Sequence, residues 1–276
     1  MLSYRHNFHA GNHADVLKHA TLTLILSYFQ KKQKSFWYID THAGVGKYDL
    51  TSDQAQKNKE FNQGIGMLYT SQDSPDELTP YINQIKLCNG PNEMRYYPGS
   101  PFIANHFIGA QDQLRLFELH PTDFKSLTET LPSSKNINIM KQDGLTGLKS
   151  CLPPQPRRGI TLIDPSYEVT QEYKDIFVAV KDAVKRFQTG TYMIWCPLID
   201  RREPEVLLEN LKSIEVNSSL YVSLSIDKKG SKGMYGSYLY IINPPWTLRD
   251  QLSVICPYLV DRMGIEGRGS FDLTTT

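Results

Sequence analysis

Apolar residues in this chain follow two alternating patterns: short unbroken runs, and longer stretches with helical spacing. The first helical stretch lies near the N-terminus. Val16, Leu17, Ala20, Leu24 and Tyr28 recur at the spacing of one helix face, and Asn12 stands where an N-cap belongs. Lys31, Lys32 and Lys34 close its polar end, where cations favour the helix dipole. Phe36-Trp37-Tyr38-Ile39 then reads as a buried strand that stops at Asp40-Thr41-His42-Ala43-Gly44-Val45-Gly46. Further strands are predicted at 113–117, 137–140, 160–163, 191–195, 220–225 and 238–242. Helices over 101–110, 122–130, 145–151, 171–187 and 203–213 separate most of them.

Strands alternating with helices imply an α/β fold around a mostly parallel sheet. No helix separates the last two predicted strands, so they read as an antiparallel pair at one edge. The first two strands lie much farther apart than a simple crossover requires. Residues 47–98 therefore read as a helical insertion subdomain, with helices at 64–70 and 78–87, inside a domain made of 1–46 and 99–276. Ser100 reads as the N-cap of the helix after the insertion, with Pro101 at its first helical position.

Composition narrows the class. A chain of 276 residues that is 40% hydrophobic can bury a substantial core. Its four cysteines, Cys88, Cys151, Cys196 and Cys256, form no Cys-x-x-Cys pair. That spacing argues against a zinc site or a disulfide framework and fits a reducing cytoplasm. The longest apolar run near the N-terminus, Leu22 to Leu26, is too short to span a bilayer. A net charge of +1 gives no global support for a nucleic-acid partner, so a polyanion would be held by local patches such as Lys228, Lys229 and Lys232. His6, His9 and His13 suggest a metal, but no nearby acid completes a site, and none is assigned.

Candidate chemistry gathers where the strands end. Asp40, Glu118, Asp143 and Asp164 each close a predicted strand, and Gly44, Gly46 and Gly144 sit beside two of them. Ligands of open α/β sheets bind beyond the carboxyl ends of the strands. A carboxylate at Glu118 suits a ribose diol, and Asp143-Gly144 suits an adenine edge. A dinucleotide fingerprint fails: Asp49 stands where its third glycine belongs, and the next strand-end acid is far beyond the roughly 20 residues such a site needs.

Asp164-Pro165-Ser166-Tyr167 is the most informative of these ends. The Asp164 carboxylate and the Pro165 carbonyl can accept both hydrogens of an exocyclic amine, aiming its lone pair at a methyl donor, while Tyr167 stacks on the extruded base. Asn243-Pro244-Pro245-Trp246 has a similar spelling, but too little chain follows it to supply the later strands of such a fold. It is read as the exit of an edge strand.

Several segments together resemble the RlmJ family. They are Met1-Leu2-Ser3-Tyr4-Arg5-His6, Phe8 through His19, Asp40-Thr41-His42-Ala43-Gly44, Tyr96-Tyr97-Pro98-Gly99-Ser100-Pro101, Glu118-Leu119-His120-Pro121 and the Asn243 motif. The resemblance implies a class I S-adenosylmethionine-dependent methyltransferase sheet, Rossmann-like, with a helical insertion. It implies a monomer that methylates adenine N6 in 23S ribosomal RNA, acting on protein-free or partly assembled RNA. By the same resemblance, His19, His42, Ser100, Glu118, Asp143, Gly144 and Asp164 hold the cofactor and Lys18 assists them. Asp164 is catalytic, and Tyr4 lies near the RNA. Ser166 departs from the family, which usually has proline there. The expected consequence is a looser motif with activity retained. A DNA adenine methyltransferase and a catalytically weak RNA-binding relative are the alternatives.

Overall fold

The computed structural model describes residues 5–90, 93–132 and 134–275. A long helix α1 (His13–Gln30) opens the fold. Asn12 caps it, its side chain accepting from the amides of Ala14 and Asp15. The predicted one-sided stripe understates its burial: every residue from His13 to Leu26 is buried. Thr21 and Thr23 are satisfied within the helix, donating to the carbonyls of Leu17 and Ala20, while Lys18 and His19 find partners outside it in Asp164 and Tyr97.

Strand β1 (Trp37–Asp40) follows, and then a segment bounded by two short paired strands, β2 (Lys47–Asp49) and β3 (Tyr96–Pro98). Between them lie α2 (Asp53–Asn58), α3 (Gly66–Tyr69) and α4 (Thr79–Asn89). The chain continues through α5 (Ser100–Phe107), β4 (Gln113–Phe117), α6 (Pro121–Thr130), β5 (Ile137–Met140), α7 (Gly144–Cys151) and β6 (Gly159–Ile163). Next come α8 (Thr170–Arg186), β7 (Thr191–Ile199), α9 (Glu203–Lys212), β8 (Ser219–Ser225) and β9 (Met234–Ile242). It closes with α10 (Leu248–Met263) and β10 (Ser270–Thr275).

Eight strands form one sheet in the order β10-β8-β9-β7-β6-β1-β4-β5. The strands from β5 to β7 pair in parallel, while β9 runs antiparallel between β7 and β8. From β1 the chain winds outward through β4 and β5 on one side, then through β6 and β7 on the other. The order therefore reverses between β1 and β6, which is where ligands bind in open α/β sheets. β6 is buried at every residue, as expected for a central parallel strand covered on both faces.

Two expectations need correction. The β8–β9 pair does not form the edge, because β10 adds a further antiparallel strand outside β8. The helix α10 before it presents Leu248, Leu252, Ile255, Leu259 and Met263 to the core. Ser100 does not cap α5: Gly99 holds the extended cap position, and Ser100 begins the helix with its hydroxyl turned to a tertiary partner. Among the described residues, no helix is long and apolar enough to cross a membrane.

Candidate active site

Register brings the strand ends together at the reversal point. Asp40 pairs with Leu162, two residues before Asp164, and the Thr41 amide donates to the Leu162 carbonyl at 3.1 Å. Around these ends lies a cavity of about 180 Å³. Lys18, His19, His42, Ser100, Glu118, Asp143, Gly144 and Asp164 all line it. The residues proposed from the sequence for the cofactor thus share one enclosure, although they come from six different elements and turns.

Asp40 is the hub beneath this cavity. It is fully buried and accepts from the Tyr38 and Ser100 hydroxyls, each at 2.8 Å, and from the His42 amide at 3.2 Å. Burial raises its pKa to about 6, against the lowering effect of those hydrogen bonds. Glu118 holds the glycine turn: its carboxylate accepts from the Gly44 amide at 2.8 Å and the His120 amide at 2.7 Å. Burial raises its pKa too. Each of its oxygens retains capacity for a further hydrogen, as a diol would supply. Asp143 caps α7 through the Thr146 amide.

The glycines serve packing more than ligand approach. A Cβ on Gly44 would meet the Tyr48 hydroxyl at 2.6 Å, and one on Gly144 would meet the Thr41 carbonyl oxygen at 1.9 Å. Gly44 also has φ +62, a conformation that favours glycine. The histidines are neutral donors or acceptors here. Burial lowers His19 to about 3 and His42 to about 4. Tyr97, itself bonded to Tyr81, holds the His19 ring at 2.8 Å, and Thr41 holds the His42 ring at 2.8 Å.

Asp164 closes this cavity and opens onto a second, larger one of about 890 Å³. His6, Lys18, Asp164 and Ser166 line both. The Lys18 ammonium donates to Asp164 Oδ2 at 2.5 Å and lies 2.8 Å from Asp15 Oδ1. Burial alone would lower the Lys18 pKa, but the two carboxylates more than offset it and hold the ammonium charged. Asp15 in turn accepts from the Gly11 amide and meets His6 Nε2 at 2.9 Å. This chain leaves Asp164 Oδ1 without a partner among the described residues.

Pro165 and Tyr167 line the larger cavity. Tyr167 is fixed rather than free: its hydroxyl donates to the Trp195 carbonyl at 2.6 Å, and its ring packs on Tyr173 with centroids 4.5 Å apart. Its φ of +55 is uncommon for an aromatic residue. Ser166 and Glu172, at the start of α8, both line the smaller cavity. Tyr4 lies outside the described residues.

Other participants escaped the sequence reading. Asp15, His6 and Trp195 all border Asp164 or its partner Lys18, and Glu60 and Gln63 bring the 47–98 segment to the larger cavity. His9 and Asn12 bind the Glu60 carboxylate, so acids do lie beside His6 and His9. Among the described residues, however, no three such groups converge on a metal position. The rival motif is remote from all of this. Ile242 pairs with Tyr192 at the start of β7, so Asn243 emerges at the amino ends of the parallel strands, the face opposite Asp164.

This strand order, with an antiparallel strand between β7 and β8 and an acid-lined cleft at the reversal point, defines a class I methyltransferase. The family described as ribosomal RNA large subunit methyltransferase D, RlmJ, matches residues 33–275. The ribosomal RNA large subunit methyltransferase J of Haemophilus influenzae is 42% identical, over 98% of this chain and 97% of its own length. That of Escherichia coli is 40% identical, over 98% and 96%. A crystal structure of a Legionella pneumophila protein superposes with a TM-score of 0.91 at 36% identity, covering 96% of this chain and 98% of the other. The chain belongs to the RlmJ family, and it is an enzyme, a methyltransferase.

Proposed function

We propose that this enzyme transfers a methyl group from S-adenosylmethionine to the N6 amine of an adenine in 23S ribosomal RNA. The observation that carries the reading is the junction of two cavities at Asp164. A smaller pocket suited to the donor and a larger one open to a substrate share that single carboxylate. The substrate class rests on the family and on its Haemophilus and Escherichia relatives, both named as ribosomal RNA large subunit methyltransferases.

The residues of the smaller pocket fit the donor's chemistry. Glu118 offers half-buried carboxylate oxygens for ribose hydroxyls, and Asp143 with Gly144 stands at the end of the third parallel strand for an adenine edge. The cofactor would supply an electrophilic methyl group on a positively charged sulfur, which a cleft rich in carboxylates favours.

The chain's own part is orientation and charge. Lys18 occupies Asp164 Oδ2, so Oδ1 and the Pro165 carbonyl remain to accept the two amino hydrogens. Accepting both bends the nitrogen towards tetrahedral geometry and turns its lone pair to the donor side. Asp164 serves as an acceptor of hydrogen bonds, and the proton departs after transfer. Tyr167, held by Trp195 and Tyr173, supplies an aromatic face already fixed in place.

Transfer of a tritiated methyl group to deproteinised large-subunit ribosomal RNA, compared with duplex DNA, tests the reading. Label in the RNA as N6-methyladenosine supports it. Label in duplex DNA alone would point to the DNA enzyme instead. Cofactor binding without product in either would mark a weak RNA-binding relative.

A further inference from the structure

The larger cavity has a rim whose charges the transfer chemistry leaves unused. Its far wall is built from the exit of β7, with Pro197, Ile199 and Arg201, and from the turn between β8 and β9, with Gly230, Lys232 and Gly233. Arg201 and Lys232 are exposed. Neither has an ion-pair partner among the described residues.

Their neighbours, by contrast, are committed. Arg268 binds Asp227 at 2.6 Å, and the Lys228 amide donates to the same carboxylate. Lys229 pairs with Glu205 at 2.5 Å. These contacts anchor the base of the turn and neutralise both of those acids. Asp200 remains as the one other acid of this wall, beside Arg201. The tip itself is open: Gly230 (φ +92) and Gly233 (φ +86) have no heavy atom within 4 Å of where a Cβ would stand. A turn held at its base, with bare backbone at its tip and an uncommitted ammonium between its glycines, can receive a bulky anion closely. Of the cavity's other acids, Asp15, Asp164 and Glu60 each already have a cationic or hydrogen-bonding partner, and Glu168 is exposed next to Tyr167.

We propose that Arg201 and Lys232 form a phosphate clamp on the RNA strand, gripping backbone phosphates next to the nucleotide that enters the larger cavity. The proposal rests on the reading of that cavity as the substrate side. It explains how a chain of net charge +1 holds a polyanion: affinity comes from a few uncommitted cations beside the site. The contacts go to phosphates, so they position the strand and carry no sequence information.

The test uses the full-length chain with Arg201→Ala, Lys232→Ala and the double variant, and Lys185→Ala on α8 as a distant control. Equilibrium binding of deproteinised large-subunit ribosomal RNA is measured across a salt series. Each lost contact should lower the slope of log affinity against log salt by about 0.7, the value for single strands. The double variant should bind roughly tenfold more weakly at low salt and raise the KM for RNA. Its kcat at saturating RNA and its calorimetric affinity for S-adenosylmethionine should stay within about twofold, with Lys185→Ala unchanged. An unaltered salt slope in the double variant, with wild-type methylation intact, overturns the clamp and leaves the proposed reaction standing. A chain that methylates no RNA, yet loses salt-dependent affinity on these substitutions, refutes the reaction and keeps the clamp. Equal loss from Lys185→Ala would reduce the effect to general charge and overturn the clamp.

Discussion

Two segments of this protein are spelled almost alike and do opposite things. Asp164-Pro165-Ser166-Tyr167 and Asn243-Pro244-Pro245-Trp246 each follow an apolar strand, and each includes a residue with positive φ, Tyr167 and Asn243. The first leaves a parallel strand at its carboxyl end, at the reversal of strand order. The second leaves an antiparallel strand and so emerges at the opposite face. Their polar groups differ accordingly. Asp164 keeps one carboxylate oxygen uncommitted beside two cavities. Asn243 spends its amide on the carbonyls of Gln188 and Gly190, closing a turn, and its Trp246 is 78% exposed. Strand direction, more than spelling, decides which motif can do chemistry.

Substitutions should separate the two ends sharply. The largest effect belongs to Asp164→Ala, which should lower methyl transfer by about 10³-fold or more, as expected when a group acting only in the transition state is lost. Its melting temperature should stay within a few degrees of the parent, because Lys18 keeps Asp15. Asn243→Ala should show the reverse: transfer by the folded enzyme preserved, and stability lowered by about 1–2 kcal/mol in denaturant titration, from two lost hydrogen bonds and a left-handed backbone that alanine resists.

Acid should expose the same asymmetry. His13, His19 and His42 surround the Asp164 end, and burial lowers them to about 4, 3 and 4. A histidine depressed in the fold binds its proton more readily when unfolded. Stability therefore falls as pH drops below the unfolded value near 6.5, and each group adds up to ~1.4 kcal/mol per pH unit until its folded pKa is reached. Asp40 opposes them, because its pKa of about 6 favours proton uptake by the fold between roughly pH 6 and 4. Glu118, also raised by burial, works with Asp40, so three groups against two predict a net loss of stability from pH 6.5 to 4.5, measurable as a falling denaturation midpoint. A flat profile would show that these rings titrate normally. The smallest effects should come from Ser166→Pro, with transfer within about threefold of the parent or above it, and from Trp246→Ser, with transfer and stability close to unchanged. A marked drop in transfer for Ser166→Pro would mean that the serine itself is needed for the motif's geometry.

Much of this was legible in the sequence. The alternation of runs and helical stretches gave the parallel sheet, and Asn12 marked the start of α1 because its cap is made locally. The gathering of strand-end acids followed from topology alone. What stayed hidden depended on distant partners. Ser100 has the residue type and position of an N-cap, but its hydroxyl is drawn to Asp40, sixty positions earlier in the chain. The strand β10 is mostly exposed and lacks an apolar rhythm; pairing with β8 makes it a strand. The helix α10, which carries Pro257 inside it, was not among the predicted elements, although its apolar stripe is present in the sequence. The chain His6–Asp15–Lys18–Asp164 joins residues up to 146 positions apart and required the fold.

The central claim is that Asp164, with the Pro165 carbonyl, holds an adenine amine at the meeting of two cavities. The most direct measurement is mass-spectrometric identification of the nucleoside formed when wild-type and Asp164→Ala enzymes act on deproteinised 23S ribosomal RNA with labelled S-adenosylmethionine. The account predicts N6-methyladenosine from the wild type and none from the variant. A methyl group on any other atom, or equal N6-methyladenosine from both enzymes, would contradict it.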